Sequence, residues 1–168
     1  MKGVHEPDVE LLSAENALMD VDKITDQTLL DHILSKLDIS GSLRERINHF
    51  TTLLCKLLAL KEHPLKEDDV EKTPSEPGVY LIFSGDSCIY VGQASNINRR
   101  LNYHVGGNTS NSAFNKKLKE IMGICDKDKR INYVKENCFF KFIIEEDEKE
   151  RKNFEHFAIA ILNPKLND

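Results

Sequence analysis

Two short runs of alternating apolar residues, joined by a polar turn, constrain the fold of this chain more than any other feature. The first runs from Gly78 to Phe83 and the second from Cys88 to Val91, with Ser84-Gly85-Asp86-Ser87 between them. Alternation with period two indicates strands that show different residues to their two faces. Two such strands around a glycine-containing turn predict an antiparallel β-hairpin.

Each predicted strand carries one tyrosine, and the register of the hairpin decides whether the two rings meet. If the loop has an odd number of residues, Tyr80 lies opposite Tyr90, and both rings share one face. An even, two-residue turn would instead place Tyr80 opposite Val91. The sequence favours neither loop, so both registers stay open at this point.

The rest of the C-terminal half is predicted to form helices around one further strand. Ser95 or Asn96 is the predicted N-cap of a helix whose apolar face also carries His104. Asn163-Pro164 ends the last helix. The predicted elements after the N-cap are a helix from 97 to 105, short helices at 114–121 and 128–135, a central strand at 139–144 and a long helix at 148–162.

This order of elements, ββα(αα)βα, predicts the fold class α/β (α+β). We expect a small three-stranded mixed antiparallel sheet flanked by helices, preceded by an all-helical N-terminal segment. The composition changes between residues 63 and 77, where three prolines and an acidic run occur. The predicted organisation is therefore a helical region at 1–62, a linker at 63–77 and a domain at 78–168.

The predicted N-terminal helices carry an apolar seam. Its spacing of four, three, four and three residues is that of a heptad repeat, but it covers only two heptads. It either docks on the neighbouring helices or pairs with a second copy to form a homodimer. The seam consists of Leu43, Ile47, Phe50, Leu54 and Leu57, and further helical periodicity occurs at 9–21 and 29–37.

Charge, cysteine content and hydropathy exclude several classes of protein. The net charge is −5, but residues 1–77 contain 9 basic and 16 acidic residues, whereas residues 78–168 contain 14 and 12. The slightly cationic half is the one suited to phosphates. The four cysteines form no C-x-x-C pair, which argues against a zinc site. No apolar run approaches the roughly 20 residues that span a bilayer, so we expect a cytoplasmic protein without membrane association.

A few polar side chains in the C-terminal half have no obvious use in a core. Glu155 shares a helix face with apolar residues, and a buried carboxylate must be paired, protonated or bound to a metal. A salt bridge to Arg99 or Arg100 would satisfy it equally well. A tyrosine such as Tyr80 or Tyr90 accepts a proton readily only beside positive charge. His104, one turn after Arg100, either relays a proton or packs on the helix face.

Together these residues form a pattern of known spacing. Gly78-Val79-Tyr80 and Tyr90-Val91-Gly92 resemble the paired signature of the GIY-YIG nuclease superfamily, with valine in place of isoleucine in both triplets. The family's catalytic arginine follows the second tyrosine by ten residues, which corresponds to Arg100. Its metal-binding glutamate and a later asparagine match Glu155 and Asn167, twelve residues apart. The resemblance covers residues 78–167 and none of residues 1–77.

The resemblance implies a divalent-metal-dependent DNA endonuclease that uses Mg²⁺ or Mn²⁺. It implies that Glu155 binds the metal, that Arg100 balances charge on the phosphate, and that Asn167 fixes the geometry around the metal. Tyr80 is the leading candidate for the general base, with His104 as a substitute, and Tyr90 holds the water or the phosphate. The alternative is a catalytically inactive GIY-YIG-fold module that binds nucleic acid or protein. A third reading is a helical interaction protein that assembles through residues 1–60.

Overall fold

The computed structural model describes residues 41–167, and the residues from Ile47 onward form one compact unit. The helices predicted at 9–21 and 29–37 lie outside the described residues. The helices are α1 Gly41–Ala59, α2 Glu67–Val70, α3 Ile97–Val105, α4 Ala113–Glu120, α5 Lys127–Asn137 and α6 Glu148–Leu162, and the strands are β1 His63–Pro64, β2 Gly78–Ser84, β3 Ser87–Ala94 and β4 Cys138–Ile144.

The strands form one antiparallel sheet in the order β1-β4-β2-β3. The predicted α+β class with a helix-flanked sheet is confirmed, but the sheet has four strands instead of three, and each of its pairs is antiparallel. The additional strand is β1, where His63 and Pro64 pair with Phe140 and Phe139. A strand of two residues is too short to show alternation, and proline disfavours every strand position except an edge. The sequence around His63 and Pro64 therefore predicts a loop instead of a strand.

Both predicted registers of the β2–β3 hairpin are wrong, although the two tyrosines do share a face. A two-residue turn pairs Ser84 with Ser87, and a β-bulge then shifts the register between Ile82 and Phe83. After the bulge, Ile82 pairs with Tyr90, and Tyr80 pairs with Gly92. Without the extra residue a two-residue turn would turn Tyr90 to the opposite face, because a shift of one residue reverses every side chain.

The sheet separates two apolar cores. The face that carries Tyr80 and Ile82 packs against α3, α4 and α5 through residues that include Leu101, Phe114 and Val134. The opposite face packs against α1 and α6, and its core consists of Phe50, Leu54, Leu57, Val79, Leu81, Phe83, Val91, Phe154 and Ala158. Because helices cover both faces, β2 is buried along almost its whole length.

The last three residues of the N-terminal seam dock within the compact unit. Phe50, Leu54 and Leu57 are buried. The ring of Phe50 lies 6.0 Å from that of Phe154 and 5.6 Å from that of Phe157, both on α6. Docking is the first of the two predicted uses of the seam. The predicted homodimer stays a prediction.

Local signals in the sequence set the ends of the helices that frame the hairpin. Asn96 is the N-cap of α3, and its side chain accepts a hydrogen bond from the backbone of Arg99 at 2.8 Å. Asp147 caps α6 in the same way. This helix ends at Asn163, whose φ of 43° is left-handed, directly before Pro164.

The predicted division at residues 62 and 77 stays a prediction, although residues 63–77 contribute Leu65 and Val70 to the buried core. Among the described residues, none of the helices is long and apolar enough to cross a membrane.

Candidate active site

The two tyrosines lie side by side on the hairpin. Their ring centroids are 6.3 Å apart, with Tyr80 buried and Tyr90 half-buried. Gly92 lies opposite Tyr80 in the ladder, and a Cβ atom there would come within 2.4 Å of the Tyr80 hydroxyl and 3.0 Å of the Tyr90 ring. The absence of a side chain at residue 92 therefore makes the room that both rings occupy.

This close approach predicts that Gly92→Ala displaces the phenol of Tyr80. We expect a loss of about 1–3 kcal/mol in the free energy of unfolding, because the neighbouring ring must move. If the site is catalytic, the reaction rate should fall at least about tenfold, since such displacements misalign reacting groups. Chemical denaturation and cleavage assays measure the two effects.

Gly106→Ala is the matched control, because the nearest atom to a Cβ at that position is 3.4 Å away and its φ is −70°. Equal stability and activity of the two variants would contradict the tight packing assigned to Gly92.

His104 projects from α3 into the same cluster and is fully buried. Its Nε2 atom lies 2.7 Å from the Tyr80 hydroxyl, and its Nδ1 atom lies 2.7 Å from the Ser112 hydroxyl. The ring packs edge-on against Tyr90 and Phe114, with centroid distances of 5.9 and 5.3 Å. Burial, aided by the charge of Arg100, lowers the pKa of His104 to about 3. The imidazole is therefore neutral at physiological pH.

Arg100 lies on α3 one turn before His104, and it is half-buried. Burial raises the pKa of Tyr80 well above its ordinary value, and it also raises the pKa of Tyr90. The positive charge of Arg100 opposes this rise at both phenols. The guanidinium thus lies within electrostatic reach of both rings, while Arg99 beside it is exposed.

Glu155 reaches the same cluster from α6. Its negative charge raises the pKa of both phenols, so it also lies within their electrostatic reach. Burial raises the pKa of Glu155 itself, and His156, a backbone hydrogen bond from Gln93 and the charge of Arg100 act in the opposite direction. Within the part of the chain that the structure describes, this carboxylate forms no salt bridge. The alternative of a salt bridge to Arg99 or Arg100 is therefore not observed.

A buried arginine supports the strand that meets Glu155. Arg151, also on α6, donates from Nε to the side-chain oxygen of Gln93 at 3.0 Å. It donates from Nη1 to the backbone carbonyls of Glu145 and Glu146. A depression of about 240 Å³ lies beside this arginine, lined by Gln93, Ala94, Ser95, Arg100, Glu148 and Arg151. Two guanidinium groups in its wall suit an anionic ligand such as a phosphate.

Asn167 lies on the outer edge of β3. Its Oδ1 atom accepts from the backbone N–H of Val91, and its Nδ2 atom donates to the carbonyl of Val91, both at 2.8 Å. The backbone N–H of Leu166 donates to the carbonyl of Ile89. Residues 166 and 167 therefore cover an otherwise unpaired sheet edge next to Tyr90. In this arrangement the amide positions the strand, whereas the sequence led us to expect it at the metal.

The structure thus places Tyr80, Tyr90 and His104 in ring contact. The charges of Arg100 and Glu155 lie within electrostatic reach of both phenols. Asn167 acts one residue away, through the backbone of β3. Sequence reasoning missed Ser112 and Asn115. The only sequence signal at Ser112 is that of an N-cap, since a serine directly precedes the apolar periodicity of α4.

Comparison with known proteins yields a matching family and similar solved structures. The sequence model described as the GIY-YIG catalytic domain matches residues 76–167. The magnesium-bound GIY-YIG N-terminal endonuclease domain of UvrC from Thermotoga maritima is similar at 24% sequence identity, over 60% of this chain and 93% of that chain, with a TM-score of 0.44. One of its point mutants is similar at 23% identity, over 59% and 90% of the two chains, with a TM-score of 0.43. No curated protein matches the chain.

Proposed function

The chain belongs to the GIY-YIG catalytic-domain family, and from that membership we propose that it is a divalent-metal-dependent DNA endonuclease. The proposal rests mainly on one observation: two phenols from β2 and β3 lie side by side, and the charges of Arg100 on α3 and Glu155 on α6 both act on them. Apolar packing does not require this combination, whereas metal-dependent hydrolysis of a phosphodiester uses a base, a positive charge and a metal ligand.

Glu155 is the residue that would hold the metal, and its surroundings fit that role. Its carboxylate is half-buried and forms no salt bridge with a described residue, so a cation would offset the cost of burying its charge. Carboxylate oxygen is the ligand that Mg²⁺ and Mn²⁺ prefer. The described residues contain no cluster of three or more His, Cys, Asp or Glu side chains. A cation here would therefore keep most of its coordination sphere for water and phosphate oxygens, and bind weakly without DNA.

When bound, the cation would neutralise charge on the scissile phosphate and stabilise the leaving 3′ oxygen. Arg100 would stabilise the negative charge that develops on the other phosphoryl oxygens. Tyr80 would take a proton from the attacking water while a new P–O bond forms and the bond to the 3′ oxygen breaks. Because burial raises the pKa of Tyr80, this step depends on the positive charges beside it. Tyr90 would hold the water or the phosphate.

A cleavage screen tests the proposed function. The full chain is incubated with duplex, flap and junction DNA and with supercoiled plasmid, in Mg²⁺, in Mn²⁺ and in excess chelator. We expect hydrolysis of at least one substrate in either metal and none in chelator, because the described site has a single candidate carboxylate ligand and depends on the metal's charge.

Binding of DNA without cleavage in every condition would overturn the enzymatic proposal. That result would favour the alternative of an inactive GIY-YIG-fold binding module. Cleavage that persists in chelator would instead contradict the metal dependence.

A further inference from the structure

The fully buried hydrogen-bond chain behind Tyr80 contains three residues that the proposed mechanism does not use, namely His104, Ser112 and Asn115. It runs from the Tyr80 hydroxyl to His104 Nε2, and from His104 Nδ1 to the Ser112 hydroxyl. Ser112 in turn bonds to Asn115 on the first turn of α4. All four side chains are at most 1% exposed, so bulk water does not compete for these bonds.

The orientation of the Asn115 amide is determined by its partners. Its Nδ2 atom faces the backbone carbonyls of Tyr103 at 3.2 Å and His104 at 2.8 Å. Carbonyl oxygens only accept hydrogen bonds, so the atom that faces them must be the nitrogen. The same nitrogen lies 3.1 Å from the Ser112 hydroxyl. Its two hydrogens are shared among these three oxygens, and the nitrogen itself cannot accept a hydrogen from Ser112.

A second donor faces the same hydroxyl. Ser112 is the N-cap of α4 and accepts from the backbone N–H of Asn115 at 3.1 Å. A hydroxyl oxygen has two lone pairs and one hydrogen. Neither Asn115 nitrogen can accept a hydrogen bond, so among the described partners of Ser112 the hydroxyl hydrogen is left for His104 Nδ1. That nitrogen must then accept, and the hydrogen of the neutral ring lies on Nε2, directed at Tyr80.

We propose that Ser112 and Asn115 are positioning residues that hold His104 as the neutral tautomer with its hydrogen on Nε2. In this tautomer His104 donates to the Tyr80 oxygen and has no free lone pair to accept a proton from it. The proposed tautomer makes Tyr80 the general base and gives His104 a supporting role, and this assignment rests on the proposed function. The donated bond stabilises the deprotonated phenol, because hydrogen bonds to charged groups are stronger than neutral ones.

The charged and titratable groups around His104 leave this tautomer in place at neutral pH. Tyr80 and Tyr90 face the ring from the sheet, Arg100 acts on it from its own helix, and Ser112 and Asn115 face it from α4. Burial and Arg100 both disfavour a second proton on the ring.

Nitrogen-15 NMR of the histidine rings in the full chain tests the tautomer directly. The chain has six histidines, and His104→Gln identifies the signals of His104 by their loss. We expect hydrogen on Nε2 and none on Nδ1 between pH 6 and 8. Hydrogen on Nδ1 would overturn the proposal, whether or not the protein cleaves DNA. Hydrogen on Nε2 in a protein that cleaves nothing would support the hydrogen-bond chain and refute only the enzymatic function.

Two substitutions at Ser112 test its effect on the reaction. Ser112→Ala should mix the two tautomers and lower kcat at least about tenfold, the scale of one hydrogen bond to a charged group. Ser112→Thr keeps the hydroxyl and should restore both the tautomer and most of kcat. Asp126→Ala is the matched control, because Asp126 is likewise an N-cap and accepts from Lys129 at 2.9 Å.

If Ser112 acts only as a helix cap, the Ser112→Ala and Asp126→Ala variants should behave alike. An unchanged tautomer and an unchanged kcat in folded Ser112→Ala would overturn the positioning role.

Discussion

Replacing Glu155 with glutamine is expected to lower the single-turnover rate of plasmid nicking by at least about a hundredfold, the scale of losing one charge-stabilising group. Glutamine keeps the shape of the side chain and removes the negative charge that would hold the metal. Glu136→Gln is the control, because Glu136 is an exposed glutamate on α5. Cleavage by Glu155→Gln within about threefold of the unsubstituted protein would contradict the assigned metal ligand.

The same substitution should not weaken the fold. Burial raises the pKa of Glu155, so the folded state disfavours the charged form relative to the unfolded state. Above that pKa the ionised carboxylate therefore costs stability, and neutral glutamine removes this cost. Chemical denaturation at pH 7 should give a free energy of unfolding equal to or above that of the unsubstituted protein. A gain in stability with a loss of activity is typical of a functional residue.

Replacing Arg100 with alanine is expected to lower the nicking rate by a similar factor, at least about a hundredfold. The permanent positive charge of this residue opposes the rise in the pKa of Tyr80 and Tyr90. Its loss should therefore remove both charge stabilisation at the phosphate and support for a deprotonated phenol. Single-turnover nicking with saturating enzyme separates this effect from weaker binding of DNA.

Arg99 provides a matched control in the adjacent position. It is exposed, and an exposed charge contributes about 1 kcal/mol or less. Arg99→Ala should therefore lose less than about tenfold in rate. Equal losses for Arg99→Ala and Arg100→Ala would mean that the helix contributes only general attraction to DNA, and the specific role of Arg100 would be wrong.

Much of the architecture was predictable because local signals determine it. Alternation located the strand that begins at Gly78, a nearly continuous apolar run located the strand that ends at Ile144, and Asn96 was one of the two predicted N-caps of α3. The long helix was predicted at its observed bounds, since Asn163-Pro164 gives an unambiguous end. These signals act within a few residues, which is the range over which propensity and capping operate.

The register of the hairpin was not predictable because it depends on packing across the sheet. A bulge adds one residue to β3, and no residue pattern in the sequence predicts it. Its effect is decisive, since it places Tyr90 on the face of Tyr80. Gly92 became interpretable only with this register, which places it opposite the Tyr80 ring.

Contacts between distant segments account for what else was missed at the site. Ser112 follows His104 by eight residues across a loop, and the hydrogen bond between them depends on how α4 packs. Asn167 reaches the backbone of Val91, 76 residues away, and its role in fixing the geometry around the metal stays a prediction. Spacing predicted which residues belong to the site, whereas only the tertiary structure shows which neighbours each of them has.

A crystal of the full chain soaked in Mn²⁺ would test the central claim most directly, through the anomalous signal of the metal. We predict a peak at the carboxylate of Glu155, on the side that faces the two phenols and Arg100, with water completing the coordination sphere. A carboxylate without metal at saturating Mn²⁺, or one paired with an arginine or lysine instead, would contradict the account.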